Sequence, residues 1–210
     1  MKLHDTRTPT DRPIDYVDLG AGVEPGLDRR LIGHASGRRI LELGCGGGHA
    51  AVGLALRGAR VTAIDDVTEI TAGRELAIRH ETTVEFHQTH LADLAFLTAD
   101  QIDLAFSVTA LSFVEDLDRV VRQVHRVIKP GGHLLISLPH PAALCADQHD
   151  PALTIRPWNG NRPVGERYIH NVESIVSSMC RAKFVVDTVL ERHADDDMLP
   201  STLVVRARKT

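Results

Sequence analysis

Hydrophobic residues recur along most of the chain in short runs that alternate with helix-type patterns. The run RRILELG is typical of a buried strand, and HAAVGLALRG after it predicts a helix that ends at Gly58. The strand patterns ARVTAID, TVEFHQ, IDLAFS and HLLISLP follow, with another helix predicted in TEITAGRELAIRH. Strands that alternate with helices predict a parallel sheet covered on both faces, with ligands at the carboxyl ends of its strands.

The most regular helix pattern lies in LDRVVRQVHRVIKPGG. Its apolar residues recur at helical spacing, and PGG is expected to end the helix before a strand begins at His133. Asn171 is predicted to cap a later helix. The segments KFVVDTVLE and STLVVRARK predict two closing strands.

Residues 1–34 and 140–170 interrupt this alternation. The first segment is rich in Pro, Asp, Thr and Gly, and the second is rich in Pro. Long segments without regular structure in compact domains are usually lids or binding loops. We therefore expect one domain over residues 1–210, with an N-terminal arm (1–34) and a substrate-covering insertion (140–170).

Charge and cysteine content narrow the class of protein. The formal net charge is −4, which does not favour binding to nucleic acid or to an anionic membrane. Cys45, Cys145 and Cys180 are odd in number and far apart, which argues for a reducing compartment rather than a disulfide framework. No apolar signal region or run of roughly 20 apolar residues is present. We expect a cytoplasmic monomer or homodimer without nucleic-acid or membrane partners.

Glycines cluster in LELGCGGGHA, between the first predicted strand and the first long helix. Gly44, Gly46 and Gly48 form a G-x-G-x-G turn, which lets a ligand lie against bare backbone near a helix N-terminus. Asp65 ends the second predicted strand, where a carboxylate can accept hydrogen bonds from ribose hydroxyls. Together these features favour a cofactor that contains a nucleoside.

The register of the glycines bears on which nucleoside cofactor binds. A dinucleotide fingerprint G-x-G-x-x-G/A read from Gly44 fails at His49, and the match read from Gly46 starts late after the strand. Glu42, just before the turn, suits a cofactor with a positively charged amino group and sulfonium better than a pyrophosphate. A nicotinamide-dependent oxidoreductase therefore remains the less favoured alternative.

The motif ILELGCGGG resembles the first motif of the Rossmann-like (class I) S-adenosylmethionine-dependent methyltransferases. VTAIDD resembles their second-strand acid, and IDLAFSVTALSFVEDLDRVVRQVHRVIKPGGHLLISLPHP is similar to the fourth-to-fifth-strand segment of the small-molecule, methyltransferase type 11-like branch. The resemblance covers about half of the chain. It implies a doubly wound α/β fold, with a mostly parallel seven-stranded sheet, helices on both faces and an antiparallel last strand.

The resemblance also implies S-adenosylmethionine as the cofactor and a set of residues that bind it. The turn would press its backbone on the cofactor, Glu42 would lie near the methionine amino group, and Asp65 would hold the ribose. These cofactor-binding residues are Glu42, Gly44, Cys45, Gly46, Asp65, Asp66, His90, Leu91, Ser107 and Val108.

His90 marks a departure from the family pattern. The family often has an acid there that meets the adenine amino group, whereas this chain has His90 followed by Leu91. Asp66 is expected beside the adenine. Ser107 and Val108, at the end of the fourth strand, are expected to meet the methionine part.

Three residues are candidates for acid–base chemistry. His140 follows the fifth strand, where a histidine can take a proton from a hydroxyl during methyl transfer. The alternative is that PHP only shapes a turn there. Tyr168 and His170 precede the late helix, where this branch often places residues that face the pocket. No metal site is predicted, because HQTH offers only two histidines.

The sequence thus predicts an enzyme that transfers a methyl group from S-adenosylmethionine to a small-molecule acceptor. O-methylation is slightly favoured because His140 offers a base, and N- and C-methylation are the open alternatives. The alternative is a non-catalytic module with the same fold that binds the cofactor but lacks an acceptor site.

Overall fold

Secondary structure in this computed structural model is described for residues 14–66, 70–146, 163–164, 167–195 and 197–210. The strands are β1 (Arg39–Leu43), β2 (Arg60–Asp65), β3 (Val84–Gln88), β4 (Ile102–Val108), β5 (Ile128–Pro139), β6 (Pro163–Val164), β7 (Arg167–Tyr168), β8 (Phe184–Arg192) and β9 (Thr202–Lys209). The helices are α1 (Leu27–Ile32), α2 (His49–Leu56), α3 (Ile70–Arg79), α4 (Leu117–Val127), α5 (Pro141–Cys145) and α6 (Val172–Arg181). A 3-10 turn spans Ala110–Phe113.

A seven-stranded sheet has the order β3-β2-β1-β4-β5-β9-β8. Strands β1 to β5 pair in parallel, and β9 pairs antiparallel with both β5 and β8. The carboxyl ends of β1 to β5 therefore meet at one edge, and the strand order reverses between β1 and β4. Ligands bind at such a switch point in open α/β sheets.

Helices cover both faces of the sheet. Buried residues of α1, α2 and α3 pack with one apolar cluster, and those of α4 and α6 pack with the other. Strands buried on both faces read as near-continuous apolar runs, as β4 and β5 do in the sequence. The predicted fold class, including the antiparallel last strand, is confirmed.

Helix α4 ends sooner than its sequence pattern predicts. It stops at Val127, and β5 begins at Ile128, which is fully buried and pairs with Ile102. The PGG segment therefore lies within the strand, where Gly131 has φ +81° and the register with β4 shifts. The prediction that PGG ends the helix and that the strand begins at His133 was wrong, because burial of Ile128 against β4 favours strand pairing.

The cap of α6 agrees with the sequence pattern. Asn171 Oδ1 accepts a hydrogen bond of 2.7 Å from the backbone N–H of Ser174. Such a cap satisfies one of the free amides of the first helical turn.

The described part of the N-terminal arm is fastened to the sheet near the end of β5 and the start of β9. Asp28 accepts a hydrogen bond of 3.0 Å from the amide of Val17. The hydroxyl of Ser137, near the end of β5, donates to the carbonyl of Leu19, and Thr202 at the start of β9 donates to the carbonyl of Ala21 at 2.7 Å. Within the predicted insertion, residues 147–162 and 165–166 lie outside the described residues. No helix in the described ranges is long and apolar enough to cross a membrane.

Two glycines with similar backbone angles allow a matched test of packing against α3. Gly48 has φ +75°, and a Cβ there would lie 2.7 Å from Gly73 Cα, whereas Gly131 has φ +81° and open space around it. We expect Gly131→Ala to lower the free energy of unfolding by about 1–2 kcal/mol, the cost of the left-handed backbone. Gly48→Ala should cost about 1–3 kcal/mol more, because it overpacks the helix contact. Urea unfolding measures both, and equal losses would show that the contact with Gly73 carries no energy.

Candidate active site

The glycine turn between β1 and α2 is tied to the neighbouring strand β2. The backbone amides of Gly44 and Cys45 both donate to the carbonyl of Ile64, at 2.8 and 3.1 Å. Gly44, Gly46 and Gly48 all have positive φ, which a residue with a Cβ rarely adopts. The local sequence is therefore required by the path of the backbone.

The glycines of the turn differ in what surrounds them. A Cβ on Gly44 would lie 1.9 Å from the Cβ of Ala110, so packing against the end of β4 excludes a side chain there. A Cβ on Gly46 would meet nothing within 4 Å. The backbone of Gly46 is thus accessible from the side of the crevice.

Asp65 holds the turn from the end of β2. Its side chain is buried, and Oδ2 accepts a hydrogen bond of 2.7 Å from the amide of Gly46. The carboxylate and the open face of the turn therefore lie side by side.

Glu42 and Cys45 lie buried at the base of the turn. Burial raises the pKa of the Cys45 thiol well above its usual range, and the nearby carboxylates of Glu42 and Asp65 raise it further. The thiol therefore stays protonated at neutral pH. This agrees with a packing role for Cys45 rather than a nucleophilic one, since the thiolate is the reactive form.

His90 acts as a local cap at the end of β3. Its Nδ1 accepts a hydrogen bond of 3.1 Å from the amide of Ala92, and its carbonyl accepts one of 2.8 Å from Asp93. The imidazole thus takes a position in which a carboxylate could also accept a backbone hydrogen bond. Leu91 is buried in the core, whereas His90 and Asp66 are exposed.

The end of β4 is held by hydrogen bonds to both neighbouring strands. The hydroxyl of Ser107 donates to the carbonyl of Leu43 at 2.8 Å, which joins β4 to β1. The amide of Thr109 donates to the carbonyl of Ser137 at 2.8 Å, which joins this segment to β5. Val108 lies between them and is half-buried.

Thr109 was missed in the sequence analysis. Its φ of +67° is unusual for a β-branched residue, and such strain is concentrated at functional sites. Nothing in the residue type indicates it, because threonine normally avoids this conformation. The only available signal was its position directly after the fourth strand.

His140 is buried after β5, and protein groups engage both of its ring nitrogens. Nδ1 accepts a hydrogen bond of 3.1 Å from the amide of Ala142, which caps α5, and Nε2 lies 3.0 Å from Glu191 Oε1. Since Nδ1 accepts, the ring hydrogen lies on Nε2 and is donated to Glu191. For Nδ1 to accept a proton from an acceptor hydroxyl, its hydrogen bond with the Ala142 amide must first break.

His170 fastens the segment before α6 to the end of β4. Its Nε2 donates to the carbonyl of Val114 at 2.7 Å, and the side chain is buried. Burial lowers the pKa of His170, although hydrogen bonds to backbone carbonyls act in the opposite direction. The net effect on His170 favours the neutral ring. Tyr168, on β7, is half-buried.

The crevice brings together several residues singled out in the sequence. The turn residues and Asp65 are in direct contact, and Gly44 packs against Ala110 beyond the end of β4. His140 follows the neighbouring strand β5, and His170 reaches the same region through Val114. Within the described ranges, no group of three or more His, Cys, Asp or Glu side chains could hold a metal ion.

Comparison with known proteins identifies the family. Residues 41–136 match the sequence profile of a family described as "Methyltransferase domain". A structure titled as an S-adenosylmethionine dependent methyltransferase from Mesorhizobium loti superposes with a TM-score of 0.75, at 26% identity, over 86% of this chain and 95% of that one. These matches support a class I S-adenosylmethionine-dependent methyltransferase fold with a methyltransferase domain at residues 41–136. The predicted family and cofactor are thereby confirmed.

Curated proteins similar to this chain carry more specific names. A ubiquinone biosynthesis O-methyltransferase of Pseudomonas syringae pv. tomato is 37% identical over 112 residues, 53% of this chain and 47% of that protein. The protein of the same name from Alkalilimnicola ehrlichii is 37% identical over 109 residues, 51% of this chain and 44% of that protein. The chain thus spans about half the length of these curated relatives.

The contact between Asp65 and the turn predicts the effect of removing this carboxylate from the methyltransferase. We expect Asp65→Ala to weaken the binding of S-adenosylhomocysteine by about 1.5–3 kcal/mol, the scale of hydrogen bonds to a charged group. Asp66→Ala is the comparison variant, because it removes the same charge from an exposed neighbour that is expected beside the adenine and not at the ribose, so its loss should be smaller. Titration calorimetry measures both variants. A larger loss in Asp66→Ala would assign the ribose to Asp66.

Proposed function

We propose that this methyltransferase transfers a methyl group to a hydroxyl of a small-molecule acceptor. The observation that carries the proposal is the open face of Gly46 beside the buried carboxylate of Asp65 at the switch point of the sheet. The O-methyltransferase names of relatives that match the same half of the chain support oxygen as the acceptor atom.

The residues present fit S-adenosylmethionine. The backbone of Gly44 to Gly46 would hold the cofactor, and Asp65 would accept hydrogen bonds from its ribose. Glu42 lies buried beneath the turn, and a carboxylate at that place would suit an ammonium or sulfonium better than a pyrophosphate. His90, with Nδ1 used by Ala92, would present an N–H donor to the adenine rather than an acceptor. Ser107, Val108, Leu91 and Asp66 would complete the site.

Little further chemistry is required of the protein. The sulfonium of the bound cofactor supplies an activated methyl group, so positioning of the acceptor and exclusion of water contribute most. The N-terminal arm and the insertion over residues 140–170 would provide this cover. The hydrogen bonds of Leu19 and Ala21 to Ser137 and Thr202 support such a place for the arm. We propose a cytoplasmic location, in line with the three free cysteines.

The decisive experiment combines cofactor binding with methyl transfer. Calorimetry should show S-adenosylhomocysteine binding in the micromolar range, on the order of −8 kcal/mol, with no heat from NAD or NADP. Labelled S-adenosylmethionine should then transfer its methyl group to a hydroxyl of at least one compound in a panel of small hydroxylated molecules. Dinucleotide binding of equal strength would favour an oxidoreductase. Cofactor binding without transfer to a panel of hydroxylated compounds would favour the non-catalytic module.

We propose that His140 positions the chain after β5 through its contacts with Ala142 and Glu191, and the base role predicted from the sequence is the alternative that the next experiment tests. His140→Ala removes both roles, whereas His140→Asn keeps a side-chain oxygen that can cap α5. We expect His140→Asn to retain near wild-type turnover and His140→Ala to lose stability and turnover together. The measurement is the rate of labelled methyl transfer at saturating cofactor. A loss of about 10²–10⁴-fold in both variants, with the fold intact, would make His140 the base.

A further inference from the structure

Arg167 differs from the other half-buried arginines of the described ranges. Its guanidinium carbon lies 5.1 Å from the centroid of the Phe113 ring, and the side chain is half-buried. Within the part of the chain that the structure describes, no carboxylate or carbonyl oxygen accepts a hydrogen bond from it. Stacking on a ring stabilises the cation but leaves its N–H donors without acceptors.

The other half-buried arginines of the described ranges all have oxygen atoms as hydrogen-bond or ion-pair partners. Arg126 donates to the carbonyls of Leu94 and Leu97 at 2.7 and 2.8 Å. Arg206 pairs with Asp187 at 2.8 Å. The fold therefore supplies acceptors where an arginine serves packing alone.

The electrostatic surroundings of Arg167 are equally unusual. Burial lowers the pKa of Arg167, and among the described residues no carboxylate raises it again, whereas Asp103 raises the pKa of the half-buried Arg38. An arginine keeps its charge in spite of such a shift. A partly desolvated cation without an anion is costly, so an anionic ligand would gain from binding there.

Arg167 lies at the side of the crevice where the acceptor belongs. Phe113 ends the 3-10 turn that begins directly after Thr109 and the carboxyl end of β4. The segment that carries Arg167 is fastened to the same region by the hydrogen bond from His170 to Val114. The Phe113 ring is 46% exposed, so an aromatic surface and a cation lie next to each other.

We propose that Arg167 binds an oxyanion of the acceptor, a carboxylate or a phosphate-type group, and selects hydroxylated aromatic acids over their neutral analogues. The planar fork of a guanidinium matches both anions in a bidentate manner. The exposed face of Phe113 supports an aromatic acceptor. This inference rests on the proposed methyl transfer, because it places Arg167 in the acceptor part of that site.

The test measures binding separately from turnover. Protein saturated with S-adenosylhomocysteine is titrated with 3,4-dihydroxybenzoate, its neutral amide 3,4-dihydroxybenzamide, and 3,4-dihydroxyphenylphosphonate. We expect wild type to bind at least one anion about tenfold or more tightly than the amide, as charge-assisted hydrogen bonds imply. The stronger of the two anions identifies the group that the acceptor carries.

Variants then assign the preference to one side chain. Arg167→Gln should remove the preference for the anion and leave the affinity for the amide unchanged, and Arg167→Lys should retain part of it. Arg181→Gln is the control, because it removes an exposed arginine that pairs with Asp118. Unchanged affinity for S-adenosylhomocysteine in every variant shows that the fold is intact.

The outcomes separate this inference from the proposed function. Equal binding of anions and amide, no saturable binding of either anion, or an unchanged preference in Arg167→Gln would overturn the role of Arg167. Charge-selective binding without methyl transfer would uphold Arg167 and count against the proposed activity. Where transfer occurs, Arg167→Gln should raise KM for the anion and leave kcat nearly unchanged, which a merely structural role would not produce.

Discussion

The hydrogen bonds between the glycine turn and β2 are the interaction on which the site depends. Ile64 accepts from two consecutive amides of the turn, and Asp65 accepts from Gly46. These contacts fix the turn at the edge where the parallel strands end, so that its open backbone faces the crevice. Because Gly44 also packs on Ala110, the same turn positions the segment that follows β4. A shift of the turn would therefore move the proposed cofactor and acceptor sites together.

Several polar residues near this edge serve to hold backbone segments in place. Ser107 joins β4 to β1, His170 fastens the chain before α6 to Val114, and His140 caps α5. Buried polar groups need such partners, because an unmet hydrogen bond in the interior is costly. Polar side chains that the sequence indicates as catalytic or binding candidates can thus be needed to hold the fold together. For methyl transfer this is no obstacle, since a well-positioned acceptor reacts with an already activated methyl group.

Arg167 and Thr109 show the opposite situation. Arg167 has a charged group that the described part of the fold does not pair, and Thr109 adopts a backbone conformation that its own side chain disfavours. Each carries a local cost that packing alone does not require. Both lie beside the 3-10 turn after β4. At this turn, residues that cost local stability lie where the proposed acceptor would bind.

The sequence by itself determined the parallel sheet, the glycine turn and the acid at the end of β2. These features depend on local patterns: apolar runs, glycines where φ is positive, and a carboxylate at a strand end. It also indicated the Asn171 cap, because capping involves residues that are close in the chain. The tertiary structure decided that Ile128 continues as a strand, since its partner Ile102 is distant in sequence. The tertiary structure likewise decided the hydrogen-bond partners of His140 and His170. It also decided that Arg167 stacks on Phe113 and has no carboxylate partner among the described residues. These side chains meet their neighbours Glu191, Val114 and Phe113 only when the sheet and its covering segments have assembled. The pairs are far apart in the chain, so no spacing in the sequence indicates them.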